Sequence, residues 1–73
     1  MKPGDLVQIK EEYYNSSTIS SLCPQGPGIL ISVRNRESSL YPAGLRAYCD
    51  VLMPLYGGGT KVLAFFVGEI ERV

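Results

Sequence analysis

The chain is expected to fold as a small all-β barrel of five strands, with a long first loop and a short helical turn before the last strand. Three phrases lead there. Lys2-Pro3-Gly4-Asp5 is turn chemistry set directly before the alternating stretch Leu6-Val7-Gln8-Ile9. Gly26-Pro27-Gly28 delivers a second apolar run rich in β-branched residues, Ile29-Leu30-Ile31-Ser32-Val33. Gly57-Gly58-Gly59 stands between two further apolar stretches, and consecutive glycines supply the positive backbone dihedrals that tight hairpins need.

The elements follow in order. The first strand covers Asp5–Lys10, with Val7 and Ile9 sharing the core face because side chains alternate along a strand. From Glu11 to Pro27 the chain is polar and rich in turn formers. It reads as one loop, longer than the roughly 12–15 residues beyond which loops in compact domains become uncommon and often functional. The second strand starts at Gly28 and runs to Val33, its β-branched Ile29, Ile31 and Val33 on one face. Arg34 to Ser39 is a polar exit, joined to the turn signal Tyr41-Pro42-Ala43-Gly44 in a second surface loop. The third strand spans Leu45–Met53, with Ala47, Cys49, Val51 and Met53 on one face and Pro54 ending or bulging it. The fourth covers Lys61–Phe66. Gly68 tightens the chain into a short helical turn before a last strand in the Ile70/Val73 segment, which pairs with the first and leaves no long edge exposed. No helix longer than about one turn is expected, since no stretch shows the i, i+3, i+4 pattern.

Residues 1–73 form a single domain, without repeats or linkers. A hydrophobic fraction of 45% against 19% charged suits a folded domain, one near the lower size limit for a core without staples. Seven basic residues balance seven acidic ones, so no net field draws the chain to a polyanion or an acidic membrane. The longest apolar run, Val62 to Val67, is far too short to cross a bilayer. Cys23 and Cys49 lie in separate segments without Cys-x-x-Cys spacing, and the chain has no His, so no metal and no cofactor are expected. Free thiols are the expected state of both cysteines, with Cys49 buried in its strand and one disulfide between them as the alternative.

Enzymatic chemistry has little to work with. There is no His for general base work, the serines lack a partner base, and no cation stands near Cys23 in sequence to activate it. Glu69 and Glu71 read as a solvated ladder on one side of a strand, not an acid/base pair. The binding candidates are of two kinds. Tyr13 and Tyr14 in the long loop, with Tyr41 and Tyr56 beside turns, bring large amphipathic area to a protein interface; the other reading of Tyr13 and Tyr14 is that one covers the open end of the barrel and the other lies flat on its surface. Arg34, Arg36 and Arg46 flank the second loop and cluster at one end if strands two and three pair, where they either hold phosphates or form a solvated, charge-mixed end with Glu37.

The succession Gly4-Asp5-Leu6-Val7, a loop, Gly26-Pro27-Gly28-Ile29-Leu30-Ile31, Tyr48-Cys49-Asp50-Val51-Leu52, a glycine hairpin and Phe65-Phe66-Val67-Gly68-Glu69-Ile70-Glu71-Arg72-Val73 resembles small SH3-like proteins of tailed bacteriophages over nearly the whole chain. It is also similar to the KOW element of ribosomal and transcription-elongation proteins, through Gly4-Asp5-Leu6-Val7 and Gly28-Ile29-Leu30-Ile31. It departs from that element in the long, serine-rich loop with Glu11 and Glu12, where KOW elements carry a short basic one. The resemblance implies an SH3-like barrel acting as a non-catalytic interaction module, a virion component or accessory in the host cytoplasm or the virion. Its partner would be a phage or host protein or a second copy of itself, with KOW-like RNA or DNA binding as the alternative.

Overall fold

The computed structural model describes residues 2–37 and 45–73, with the backbone alone at 35–37 and 45–46. Five strands form one antiparallel sheet: β1 (Leu6–Ile9), β2 (Gly28–Glu37), β3 (Leu45–Pro54), β4 (Thr60–Phe66) and β5 (Ile70–Arg72). Their order across the sheet is β4-β3-β2-β1-β5. The last strand pairs with the first, as expected, through Val7–Arg72, Gln8–Glu71 and Ile9–Ile70. Among the described residues no pairing joins β4 to β5, so the sheet is open and the expectation of no long exposed edge fails at β4.

The Lys2–Asp5 turn closes with Asp5 N–H donating to the Lys2 carbonyl at 3.1 Å, and Gly4 at φ +94° takes the third position of a type II turn behind Pro3. The turn then docks on β2. Gly4 N–H donates to the Leu30 carbonyl at 2.8 Å, and Leu30 N–H to the Asp5 carbonyl at 2.9 Å.

The inner face carries the core: Val7 and Ile9 from β1, Leu30 from β2, Cys49, Val51 and Met53 from β3, Phe65 from β4 and Ile70 from β5. For β1 and β3 this is the expected face. For the start of β2 it is the opposite one, because Leu30 is buried while Ile29 and Ile31 are exposed. Gly28 supplies the reason. A Cβ there would run into Met53 Sδ and come within 2.8 Å of Val51 Cγ1, so residue 28 is the point where β2 presses on β3 from inside. With Gly28 facing in, period-two alternation turns Ile29 out and Leu30 in. Between Leu30 and Ser32 the pairing with β3 slips by one residue, leaving Ile31 as an inserted residue; Val33 then lies opposite Cys49 on the inner side of the ladder. β2 also continues through Arg34–Glu37, so the expected polar exit is strand. The turn signal at 41–44 lies outside the described residues.

The segment Glu11–Pro27 is not one loop. It holds α1 (Glu11–Ser16) and a 3-10 turn over Thr18–Ser21. α1 is short, yet Glu11 and Glu12 sit in its first turn, where the helix dipole favours negative charge. The serines supply what the missing helical periodicity would otherwise provide. Ser17 Oγ accepts from Ile19 N–H at 3.3 Å, Ser20 Oγ donates to the Ser17 carbonyl at 3.1 Å, and Ser21 Oγ to the Thr18 carbonyl at 2.7 Å. The segment then sends Cys23 into the core and places Tyr13, Tyr14 and Ile19 against it. Gln25 ties it to β1 twice, its carbonyl accepting from Ile9 N–H at 2.9 Å and its Nε2 donating to the Ile9 carbonyl at 2.6 Å.

The helical turn before the last strand is present as a 3-10 turn over Val67–Glu69. Glu69 belongs to it and not to a strand, and its Oε1 accepts from Phe66 N–H at 2.7 Å; Glu71, on β5, faces Gln8. The expected ladder of two carboxylates is therefore absent. Both cysteines are buried free thiols. Among the described residues, no helix is long and apolar enough to cross a membrane.

The packing at Gly28 makes a direct prediction. Gly28→Ala should lose about 1–3 kcal/mol in urea unfolding, as overpacked core positions do. Gly68→Ala, where an added Cβ meets nothing within 4 Å, should stay within about 0.5 kcal/mol.

Candidate interaction surface

The tyrosines expected at an interface divide. Tyr14, half-buried on α1, donates through its hydroxyl to the Cys23 carbonyl at 2.8 Å and shares a 3.0 Å hydrogen bond with the Tyr56 hydroxyl. Tyr56 N–H in turn donates to the Leu22 carbonyl at 3.2 Å. The pair thus fastens the Glu11–Pro27 segment to the β3–β4 hairpin, and Tyr14 has little left to offer a partner. Tyr13, also half-buried, meets the Glu69 carboxylate, which with burial raises its pKa above the ordinary value. It lines an open cleft of about 390 Å³ with Lys10, Glu12, Ser16, Gly68 and Glu69. Tyr56 keeps an exposed ring. Tyr41 lies outside the described residues.

The arginines are brought together at the level of the backbone. Arg36 and Arg46 are cross-strand partners, and Arg34 lies opposite Tyr48 on the same ladder. The Arg34 guanidinium is already engaged: Nη2 donates to Asp50 Oδ1 at 2.9 Å, while Asp50 Oδ2 accepts from Ser32 Oγ at 2.8 Å. Arg34 is mostly exposed and its ion pair is worth little in stability. Its effect is to neutralise one of three cations that a phosphate would need.

Neither thiol is poised for chemistry. Burial pushes the pKa of Cys23 up, and burial followed by the nearby Asp50 charge does the same at Cys49. The thiolate that nucleophilic chemistry requires is disfavoured at both.

The surface that sequence reasoning missed is the outer face of the sheet. Leu6 pairs with Ile29, Ile29 with Leu52, and Leu52 with Val62, so four apolar side chains form one row across β1, β2, β3 and β4. Leu6 is 53% exposed, Ile29 45% and Val62 50%. Val73, whose N–H donates to the Leu6 carbonyl at 3.1 Å, and Ile31 extend the exposed apolar surface. Covering a half-exposed Leu, Ile or Val contributes on the order of 1 kcal/mol each, so a partner here gains more than at Tyr14. Further along the same face come the Ser32, Asp50 and Arg34 cluster and the Tyr48–Phe66 ring pair, whose centroids are 4.7 Å apart. One end of the face is apolar and the other polar and aromatic, the composition of an interface with a polar rim. The signal was present in Leu6, Ile29 and Val62, but only the register across four strands puts them in line.

No protein-family model matches the chain, and neither a curated protein nor a solved structure matches it significantly.

The tie between the two tyrosines predicts a pH dependence. Its hydrogen bond with Tyr56, then burial, push the Tyr14 pKa up from 10.0 to about 12. The folded state holds the phenolic proton more tightly than the unfolded chain, so this stabilisation is complete below pH 10.0 and is lost as pH climbs through about 12. Thermal unfolding followed by circular dichroism should show a midpoint falling more steeply over that range in the wild type than in Tyr56→Phe. Equal slopes would contradict the coupling.

Proposed function

We propose that this chain is a non-catalytic protein-interaction module on an SH3-like barrel, encoded by a phage and acting as a virion component or as an accessory that docks onto a phage or host protein. The observation that carries the reading is the exposed apolar row Leu6, Ile29, Leu52 and Val62. It is built into the sheet register and so is presented rigidly, at little ordering cost to a partner. The strand order β4-β3-β2-β1-β5 and the 3-10 turn before β5 support the SH3-like form. The phrases Gly4-Asp5-Leu6-Val7 and Glu69-Ile70-Glu71-Arg72-Val73 support the phage origin, and with it a place in the host cytoplasm or the virion.

KOW-like binding of RNA or DNA is the second reading, and the cross-strand placement of Arg36 and Arg46 favours it. The Arg34–Asp50 pair and a formal net charge of zero weigh against it.

The test compares the wild type with Ile29→Asp, a substitution on the exposed face, in pull-downs from infected cells and in mass spectrometry of purified particles. The expected result is a phage or host protein retained by the wild type and lost by the variant, with both folded. Retention of no protein, together with RNA or DNA binding that weakens steeply from low to moderate salt, would overturn the proposal in favour of the second reading.

A further inference from the structure

β4 is seven residues long and, among the described residues, is paired on one side alone. Two hydrogen bonds show which of its backbone groups face away from β3. Leu55 N–H donates to the Gly59 carbonyl at 3.1 Å, so Leu55 and Gly59 are a hydrogen-bonded pair at the start of the ladder. The alternation of an antiparallel ladder then makes Lys61, Leu63 and Phe65 the residues bonded to β3. Phe66 N–H agrees with this phase, since it points away from β3 and is taken by Glu69 Oε1. Glu69 thus closes one end of the edge, while the N–H and C=O groups of Thr60, Val62 and Ala64 face outward.

Exposed edges are commonly guarded by proline, a bulge or inward-pointing charge. β4 has no proline and pairs with β3 without a register shift; its one charged residue, Lys61, lies opposite Met53 on the inner side and is the only charge on the strand that a pairing edge must accommodate. We propose that this edge pairs with the β4 edge of a second copy of the chain, antiparallel about a two-fold axis that sets Val62 against its counterpart. The inference rests on the interaction reading above and names one partner for it. Outward-facing groups meet in this register as Val62 with Val62 and Thr60 with Ala64, forming about six backbone hydrogen bonds. Lys61 falls opposite Leu63, so the two like charges do not face each other. The outer row continues without a break, from Leu6, Ile29, Leu52 and Val62 of one copy to Val62, Leu52, Ile29 and Leu6 of the next. A formal net charge of zero leaves no overall repulsion between copies.

Sedimentation velocity over a range of concentrations reads the result. The wild type should move from 8.0 kDa to twice that mass as concentration rises. Ala64→Pro removes one outward N–H and leaves the β3 ladder intact; it should remain a folded monomer by circular dichroism. Val62→Lys, which sets like charges opposite each other and adds no backbone change, should do the same. On oxidation Val62→Cys should form an interchain disulfide, its Cα atoms about 5.5 Å apart. Thr60→Cys should not, because its copies lie about 13 Å apart along the strands; Cys23 and Cys49 are buried and do not compete. A wild type that stays monomeric, a dimer that survives both Ala64→Pro and Val62→Lys, or equal cross-linking at positions 60 and 62 would overturn the inference. A monomer that still retains a protein through Ile29 overturns this pairing alone and leaves the interaction reading standing.

Discussion

The close approach of β2 to β3 at Gly28 is the constraint on which the rest of the sheet depends. Met53 Sδ and Val51 Cγ1 occupy the space that any side chain at position 28 would need. With that residue pinned inward, Val7 falls opposite Gly28 and Leu6 opposite Ile29 on one side, and Leu52 opposite Ile29 on the other. Leu30 must then enter the core and Ile29 must leave it. A shift of one residue would bury Ile29 and expose Leu30, and it would also drive the chain into Met53. The core and the exposed row are two faces of one register.

The polar segment between β1 and β2 completes that core from outside the sheet. Cys23 fills part of the interior, and Tyr14 holds the Cys23 carbonyl while touching Tyr56 on the far hairpin. Serine hydroxyls satisfy backbone groups that a longer helix would pair internally. A region that reads as a candidate binding loop therefore acts as a cover, and its two tyrosines are tied down by the structure they hold. On the sheet, by contrast, Leu6, Ile29 and Val62 are about half-exposed among the described residues, which is why the proposed interaction is assigned to that face.

Much of the fold was legible. Turn residues at Pro3-Gly4 and Gly57-Gly58-Gly59 and simple alternation place β1, β3 and β4 within a residue or two, and the inner faces of β1 and β3 follow from the same period. The 3-10 turn at Val67–Glu69 and the pairing of β5 with β1 were also readable. β2 was placed at its start, but its facing was inverted at Ile29 and Leu30. Ile29, Ile31 and Val33 alternate as a core face does, but the bulge at Ile31 breaks the period and the demand at Gly28 overrules it. α1 escaped notice because six residues give too little length for a helical period, and its neighbouring caps are side-chain bonds from serines that read equally well as loop. The site was less legible than the fold. The clustering of Arg36 with Arg46 followed from the hairpin, whereas the pairing of Arg34 with Asp50 and the apolar row needed the exact cross-strand partners.

Position 28 sends Ile29 to the outer face and Leu30 to the core. Methyl nuclear magnetic resonance with a soluble paramagnetic probe tests it most directly. Strong broadening of the Ile29 and Val62 methyls, little of Leu30 and Val51, and contacts linking Leu6, Ile29 and Leu52 side chains in one row are expected. Protection of Ile29 together with broadening of Leu30 would contradict it.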